Sequence, residues 1–232
     1  MVLRQIATIR SPFKDKLGIP KQSGLVEELE GEIIFEPEFR NPDYIRGLEG
    51  FEFIWLIWEF SANRHGATSP LVRPPVLGGN DKMGVFATRS PFRPNNIGLS
   101  SVRLVAVDFD TKNGPTLRVK GADLMDGTPI YDIKPYIPYA DSHPDARSGF
   151  VDANPIHRLK VVIPDDLSAQ LSAAGVTKDS DDLTALIKTL ELAPRPHYHN
   201  DPAKTYGMRF RHLDIHFQVQ GDTCTVTAIT HA

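Results

Sequence analysis

The sequence predicts a mainly β fold, an N-terminal β-barrel followed by a small C-terminal α+β subdomain, on three observations. Short apolar or alternating runs ("RQIATI", "GEIIFE", "FEFIWLIWEF", "MGVFAT", "SSVRLVAVDF", "TLRVKGADL", "LKVVI") recur between Pro, Gly and Asn through the first two thirds of the chain, and many short strands joined by long loops fit a closed barrel. Helix signals are few in that region. From about Pro164 the texture changes to helical periodicity and then returns to alternation.

In chain order, "NPDYIRGLEG" predicts one or two helical turns that begin at Pro42 and end by Gly47 or Gly50. "PDDLSAQLSAAG" has acids at a helix start and Gly175 at its end. "SDDLTALIKTLEL" sets Leu183, Leu186, Ile187 and Leu190 on one helical face behind a Ser180 cap. After the Pro-rich "APRPHYHNDPAKTYG", the runs "MRFRHLDIHFQV" and "DTCTVTAIT" read as the two strands of a hairpin turning near Gly221 and Asp222. The expected division is a barrel over 4–150 and a C-terminal subdomain over 164–232.

The chain has 232 residues and 41% hydrophobic content, enough to fill a core. Its single cysteine, Cys224, excludes an internal disulfide framework and reads as a small buried hydrophobe, which suits a reducing compartment. "FEFIWLIWEF" is too short for a membrane span and carries Glu52 and Glu59, and "MVLRQIATIRSPF" has no signal-peptide apolar region. A cytoplasmic protein without membrane contact is expected. The net charge of −3 argues against bulk nonspecific nucleic-acid binding but leaves room for a local basic face.

His212, Asp214 and His216 would share one face of a strand, as zinc ligands do, but Gln218 continues that face and marks it as a solvated stripe. His197 and His199 lie in a loop of Pro and Tyr that reads as a recognition surface, so no metal is expected. GxxxxGK[ST], GxGxxG between a strand and a helix, and GxSxG are all missing, which removes the P-loop, the dinucleotide fold and the common hydrolase handle. Two windows stand out instead. In "GGNDKMGVFATRSPFRPNNIGLSSVRL", prolines stiffen a loop that carries Arg89 and Arg93, guanidinium forks suited to an anion or a carbonyl-rich ligand. In "GADLMDGTPIYDIKPYIPYADS", a tight turn at Gly127 precedes Asp132, Lys134, Tyr136 and Tyr139.

These strings, "RPPVLGGNDKMGVFATRSPFRPNNIGLSSV", "DLMDGTPIYDIKPYIPYADS" and the early "IRSPFK…PKQSGLV", resemble the TsaA-like (TrmO) family of tRNA methyltransferases that act on threonylcarbamoyladenosine beside the anticodon. The likeness runs from Arg4 to Phe150 and continues through "APRPHYHND" and "KTYGMRFRHLDIHFQV"; one departure is Asn96, where family members commonly carry Pro. The resemblance implies S-adenosylmethionine as cofactor, held in barrel loops near a dimer interface, which accounts for the missing glycine fingerprint. It implies contacts from Ser23, Gly24 and Leu25, from Ser61 and Ala62, from Arg89 and Leu99, and from the turn Asp126, Gly127, Thr128 and Pro129.

The implied reaction moves a methyl group to the exocyclic nitrogen of the modified adenine, whose proton must leave; a base within hydrogen-bond reach assists. Asp132 is the first choice and Tyr136 the second, with Lys134 orienting the threonyl carboxylate or a phosphate. Between Pro194 and His216, Arg195, Lys204, Arg209 and Arg211 outnumber Asp201 and Asp214, and Tyr198 and Tyr206 offer stacking rings, so the tail reads as the element that meets the tRNA anticodon loop, with Arg93 as a further contact from the barrel. A homodimer is expected. Two other readings stand beside this one: an S-adenosylmethionine-binding module without catalysis, and a methyltransferase of a small molecule or a protein, which would not need the basic, aromatic tail.

Overall fold

The computed structural model describes residues 2–63, 69–78, 81–112, 114–195 and 201–231. The chain forms two compact units, Met1–Arg10 with Glu32–Val119 and Gly127–Pro155, and Ser11–Gly31 with Lys120–Asp126 and Ile156–Ala232.

The first unit is built from β1 (Ala7–Arg10), β2 (Glu30–Phe35), β3 (Phe53–Glu59), β4 (Leu71–Val72), β5 (Met83–Gly84), β6 (Ile97–Asp108), β7 (Thr116–Lys120), β8 (Pro129–Pro135) and the one-turn helix α1 (Pro138–Asp141). Six of the strands close a barrel in the order β1-β2-β7-β6-β3-β8, and β4 and β5 form a separate two-stranded ribbon. The region Pro42–Gly50 makes two 3₁₀ turns, Pro42–Ile45 and Leu48–Gly50, the first capped by the Asn41 side chain, which accepts from Asp43 N. Strand β3 alternates strictly: Ile54, Leu56 and Trp58 point into the barrel, while Phe53, Trp55, Ile57 and Glu59 face out. Gly98 lies opposite Trp58 in the β3–β6 ladder, and a Cβ there would stand 2.3 Å from the indole Cε2, so only glycine lets that ring lie flat inside. The Trp58 Nε1–H donates to buried Ser100 Oγ at 2.9 Å, satisfying both polar groups within the core.

The second unit contains β9 (Lys160–Val162), α2 (Asp165–Ala173), α3 (Asp181–Glu191), β10 (Tyr206–Phe210), β11 (Leu213–Gln220) and β12 (Thr223–His231). Its sheet runs β10-β11-β12-β9, antiparallel except for β9 on β12. Helix α3 starts as its sequence demands: Ser180 Oγ accepts from Leu183 N at 3.2 Å, and Leu186 and Leu190 are fully buried. The core joins these to Leu171, Phe210, Ile215, Phe217 and Val226, and to Phe13, Val26 and Leu29 from the N-terminal segment. Cys224 is fully buried in β12, as its apolar surroundings suggest.

One expectation is corrected here. The run "MRFRHLDIHFQV" is not one strand but two, β10 and β11, because Arg211 adopts a left-handed backbone (φ 56°) that reverses the chain. The turn is anchored by Arg211 N donating to Pro12 O and by its guanidinium donating to Asp182 Oδ1 at 2.6 Å. His212 therefore leaves the strand face shared by Asp214 and His216 and stacks on His231 instead, ring centroids 5.8 Å apart. Among the described residues, no group of three or more His, Cys, Asp or Glu is placed to hold a metal ion.

Candidate active site on the barrel wall

The outward residues of β8, β3 and β6 form a ladder of rows on the barrel exterior. Pairing sets Asp132 beside Ile57 and Leu99, then Lys134 beside Trp55 and Ser101, and, one step on, Tyr136 N donates to Phe53 O at 3.0 Å where Phe53 pairs Arg103. Residues two apart on a strand share a face, so Asp132, Lys134 and Tyr136 emerge side by side. Lys134 Nζ lies 3.5 Å from Asp132 Oδ2, both half exposed, and Asp132 Oδ1 accepts from Ile133 N at 2.9 Å. The Tyr136 ring is wedged against Trp55 and Phe53, centroids 5.6 and 6.2 Å away, and the Arg103 guanidinium lies 4.8 Å above Phe53. Asp141, at the end of α1, accepts from Ile137 N at 2.8 Å and from Trp55 Nε1 at 3.0 Å. Those two donors, the backbone one first, hold its carboxyl below the usual carboxylate range.

Above the Asp132 row, β8 bulges between Ile130 and Asp132, opposite Ile57 and Trp58, and the extra residue, Tyr131, donates its hydroxyl to the Glu59 carboxylate. Burial, then Glu59, pushes the phenol up to about 12. Glu59 ends β3 just before Ser61 and Ala62, so this contact ties the entrance of that loop to the segment that follows Pro129. Sequence reading passed over Glu59, Tyr131, Trp55 and Asp141. A signal existed for Glu59, an acid closing an otherwise apolar strand; the bulge that turns Tyr131 toward it has none.

Of the expected cofactor contacts, Ser61, Arg89 and Leu99 in the first unit are exposed, Leu99 at 56%, and Ala62 and Pro129 are half-buried. Gly127 is exposed at φ 76° and its N–H donates to Ile9 O at 2.8 Å. Thr128 is only 2% exposed, so the structure makes it a wall residue, contrary to the contact expected of it. In the second unit Ser23 and Leu25 are half-buried and Gly24 is exposed at φ 78°, its N–H donating to Gly121 O at 2.9 Å. The Asp126 carboxylate accepts from Ser11 N at 3.0 Å and pairs with Lys14 at 2.5 Å, which fixes the start of the turn.

The expected RNA contacts divide. Tyr206 is corrected: at 6% exposure it stacks on Phe217 inside the second unit's core, where no base can reach its face. Arg93 is half-buried, and its Nη1 donates to Thr88 O and Ser90 O at 3.0 and 3.3 Å, bracing its own loop. Lys204 is exposed, its Nζ 5.6 Å from the Tyr206 ring centre, and Arg195 is half-buried. Tyr198, His197 and His199 lie outside the described residues.

Comparison with known proteins identifies the class. Residues 8–142 match the family described as tRNA-methyltransferase O N-terminal domain, and residues 156–232 match the TrmO C-terminal domain. The chain is 40% identical over 218 residues to the tRNA (adenine(37)-N6)-methyltransferase of Escherichia coli (strain K12), covering 93% of this chain and 92% of that protein. It is 38% identical over 213 residues to the putative S-adenosylmethionine-dependent methyltransferase RcsF of Pseudomonas aeruginosa, covering 91% and 90%. A crystal structure of TrmO from the same species superposes with a TM-score of 0.81 at 33% identity, covering all of this chain and 97% of the other. The chain belongs to the tRNA-methyltransferase O (TrmO) family.

Proposed function

We propose that this protein is a tRNA (adenine-N6)-methyltransferase that moves a methyl group from S-adenosylmethionine to the exocyclic nitrogen of threonylcarbamoyladenosine beside the anticodon. The observation that carries the reading is membership of the family across both halves of the chain, 8–142 and 156–232. The alignment of a carboxylate, an ammonium and a phenol on one barrel face supports it. A cytoplasmic location follows from the substrate.

The residues expected at the cofactor fit it. In the first unit Gly127 has a positive φ and nothing within 4 Å of where a Cβ would stand, so its backbone can approach a ligand. Leu99 offers apolar surface to an adenine and Arg89 a fork of donors. When bound, S-adenosylmethionine supplies a methyl group already made electrophilic by its sulfonium, so positioning rather than a metal Lewis acid is what the protein must add.

In this mechanism Asp132 would accept the N6 proton as the methyl group passes to that nitrogen, the electron pair of the broken methyl–sulfur bond staying on sulfur. The nitrogen belongs to a urea-like group, whose delocalised lone pair makes removal of the proton the step that needs help. Lys134 orients the threonyl carboxylate or a phosphate. Tyr136, immobilised by Phe53 and Trp55, is the second choice for the base. Arg195 and Lys204 carry the tail's share of RNA contact.

The same wall supports a homodimer. Outward Phe53, Trp55 and Ile57, with exposed Leu99 beside Ile57 and Val105 further along β6, put apolar surface on this wall next to its polar rows, and a two-fold copy packed alongside would take up part of it. Light scattering at micromolar concentration should give twice the chain mass; a monomer mass opposes it.

The decisive test is mass spectrometry of tRNA nucleosides after incubation with S-adenosylmethionine. A methylated threonylcarbamoyladenosine is expected; none, with cofactor still bound in calorimetry, would leave a binding module. Asp132→Asn should cut kcat by about 10²–10⁴-fold with cofactor affinity unchanged. Activity on tRNA that survives deletion of the residues after Pro164 would overturn the role given to the tail.

A further inference from the structure

Burial of Tyr206 removes one ring that the tail was expected to offer a splayed base, and the barrel unit carries a better-formed platform. Residues 69–78 and 81–95 contain the β4–β5 ribbon and a loop held by its own hydrogen bonds. They hold Arg73, Lys82, Arg89 and Arg93 against the lone acid Asp81, in a chain whose net charge is −3.

Two relationships within it point to a polyanion with exposed bases. First, the ribbon pairs Leu71 with Gly84 and Val72 with Met83, and Arg73 and Lys82 directly flank the Val72–Met83 pair in sequence, at the same end of the ribbon. Both are exposed, and among the described residues neither has an ion pair. Like charges gathered at one end of a ribbon repel each other, and an anion bound there relieves the repulsion.

Second, Phe86 is 80% exposed and Phe92 54%, and the backbone that carries them is fixed by hydrogen bonds. Val85 is buried and its N–H donates to Pro70 O at 2.9 Å, which turns Phe86 outward. Thr88 Oγ1 donates to Val85 O at 2.9 Å, Ser90 N to Thr88 Oγ1 at 3.3 Å, and Phe92 N to Ser90 Oγ at 3.2 Å, while Arg93 clamps Thr88 and Ser90. A ring carried on fixed backbone loses only its own side-chain freedom on stacking. Other exposed rings have less suitable surroundings: Tyr139 precedes Asp141 and Asp145, and Tyr44 packs on Phe39 beside the Arg46–Asp43 ion pair.

We infer that the ribbon and its loop form a second RNA-contacting surface, in which Arg73 and Lys82 bind backbone phosphates and Phe86 and Phe92 stack on unpaired bases of the substrate's anticodon loop. The inference rests on the tRNA methyltransferase reading above. It gives the barrel unit its own grip on the RNA, in addition to that of the tail.

The test uses the full-length protein with Arg73→Glu/Lys82→Glu and, separately, Phe86→Ala. Three quantities are read: affinity for a fluorescein-labelled tRNA carrying threonylcarbamoyladenosine across a salt series, cofactor affinity by calorimetry, and mass by light scattering. The charge variant should lose at least tenfold in tRNA affinity, and the magnitude of its log–log salt slope should fall by about 1.4–1.8, the loss of two phosphate contacts. Phe86→Ala should lose about 5- to 150-fold with the parent's salt slope, as a stacking ring would. Melting temperature, cofactor affinity and mass should stay those of the parent. Unchanged tRNA affinity and slope overturn the inference, and so does a fall in mass, which would make the surface an interface between protein copies. A parent protein that binds cofactor but methylates no tRNA overturns the underlying reading instead, an outcome visible before any variant is made.

Discussion

The Tyr131 hydroxyl donates to the Glu59 carboxylate from the bulge that separates Ile130 from Asp132, so the residue beside the proposed base is fixed to the end of β3. Burial and this contact raise the phenol to about 12, above about 10 in an unfolded chain. An acid whose folded value is raised favours the folded state while neutral. That contribution is complete below about pH 10 and is lost as pH rises through 12. In urea titrations, the stability difference between parent and Tyr131→Phe should be about 1 kcal/mol at pH 8, small because the pair is only half buried, and should shrink between pH 10 and 12. A difference that does not change over that window counts against the pairing.

Gly98 is predicted to be intolerant of any side chain. A Cβ at 2.3 Å from the Trp58 indole must displace the ring that fills the barrel interior. Gly98→Ala should cost roughly 1–3 kcal/mol or more and change tryptophan emission in the folded state. A variant that melts with the parent would mean that Trp58 has another rotamer available.

In the tail, stability and RNA affinity should separate by residue. Tyr206→Ala should lose about 3–5 kcal/mol in chemical denaturation, since it empties a buried aromatic position stacked on Phe217. Arg195→Glu/Lys204→Glu should keep the melting temperature and cofactor affinity but weaken tRNA binding in a salt-sensitive way. If the charge variant binds and methylates tRNA like the parent, the tail does not read RNA through these residues.

Cys224 should be chemically silent in the folded protein. Burial pushes its thiol up to about 12, and the nearby positive charge of Arg195 opposes this only in part. Ellman's reagent at pH 8 should find no thiol in native protein and one per chain in urea. By linkage, the neutral buried thiol contributes stability below about pH 8.5, its unfolded value, and that contribution disappears as pH climbs toward 12.

Much of the architecture was legible in local chemistry. The alternation of Ile54, Leu56 and Trp58 against Phe53, Trp55 and Ile57 announces a strand, Ser180 before two Asp announces a helix start, and the family strings around Arg89 and Asp132 announce the chemistry. These signals are periodic or contained within a few residues, which is why a sequence carries them. Tertiary structure decided what depends on register and on conformation at single residues. A left-handed Arg211 split one expected strand into two and turned His212 away from Asp214. One bulge residue in β8 joined Tyr131 to Glu59, 72 positions apart. The core of the second unit took in Tyr206, while the β4–β5 pairing joined Leu71 to Gly84 and Val72 to Met83 and so left Arg73 and Lys82 at one end of the ribbon. In each case the free energy resides in contacts between distant segments, and no window of local sequence contains them.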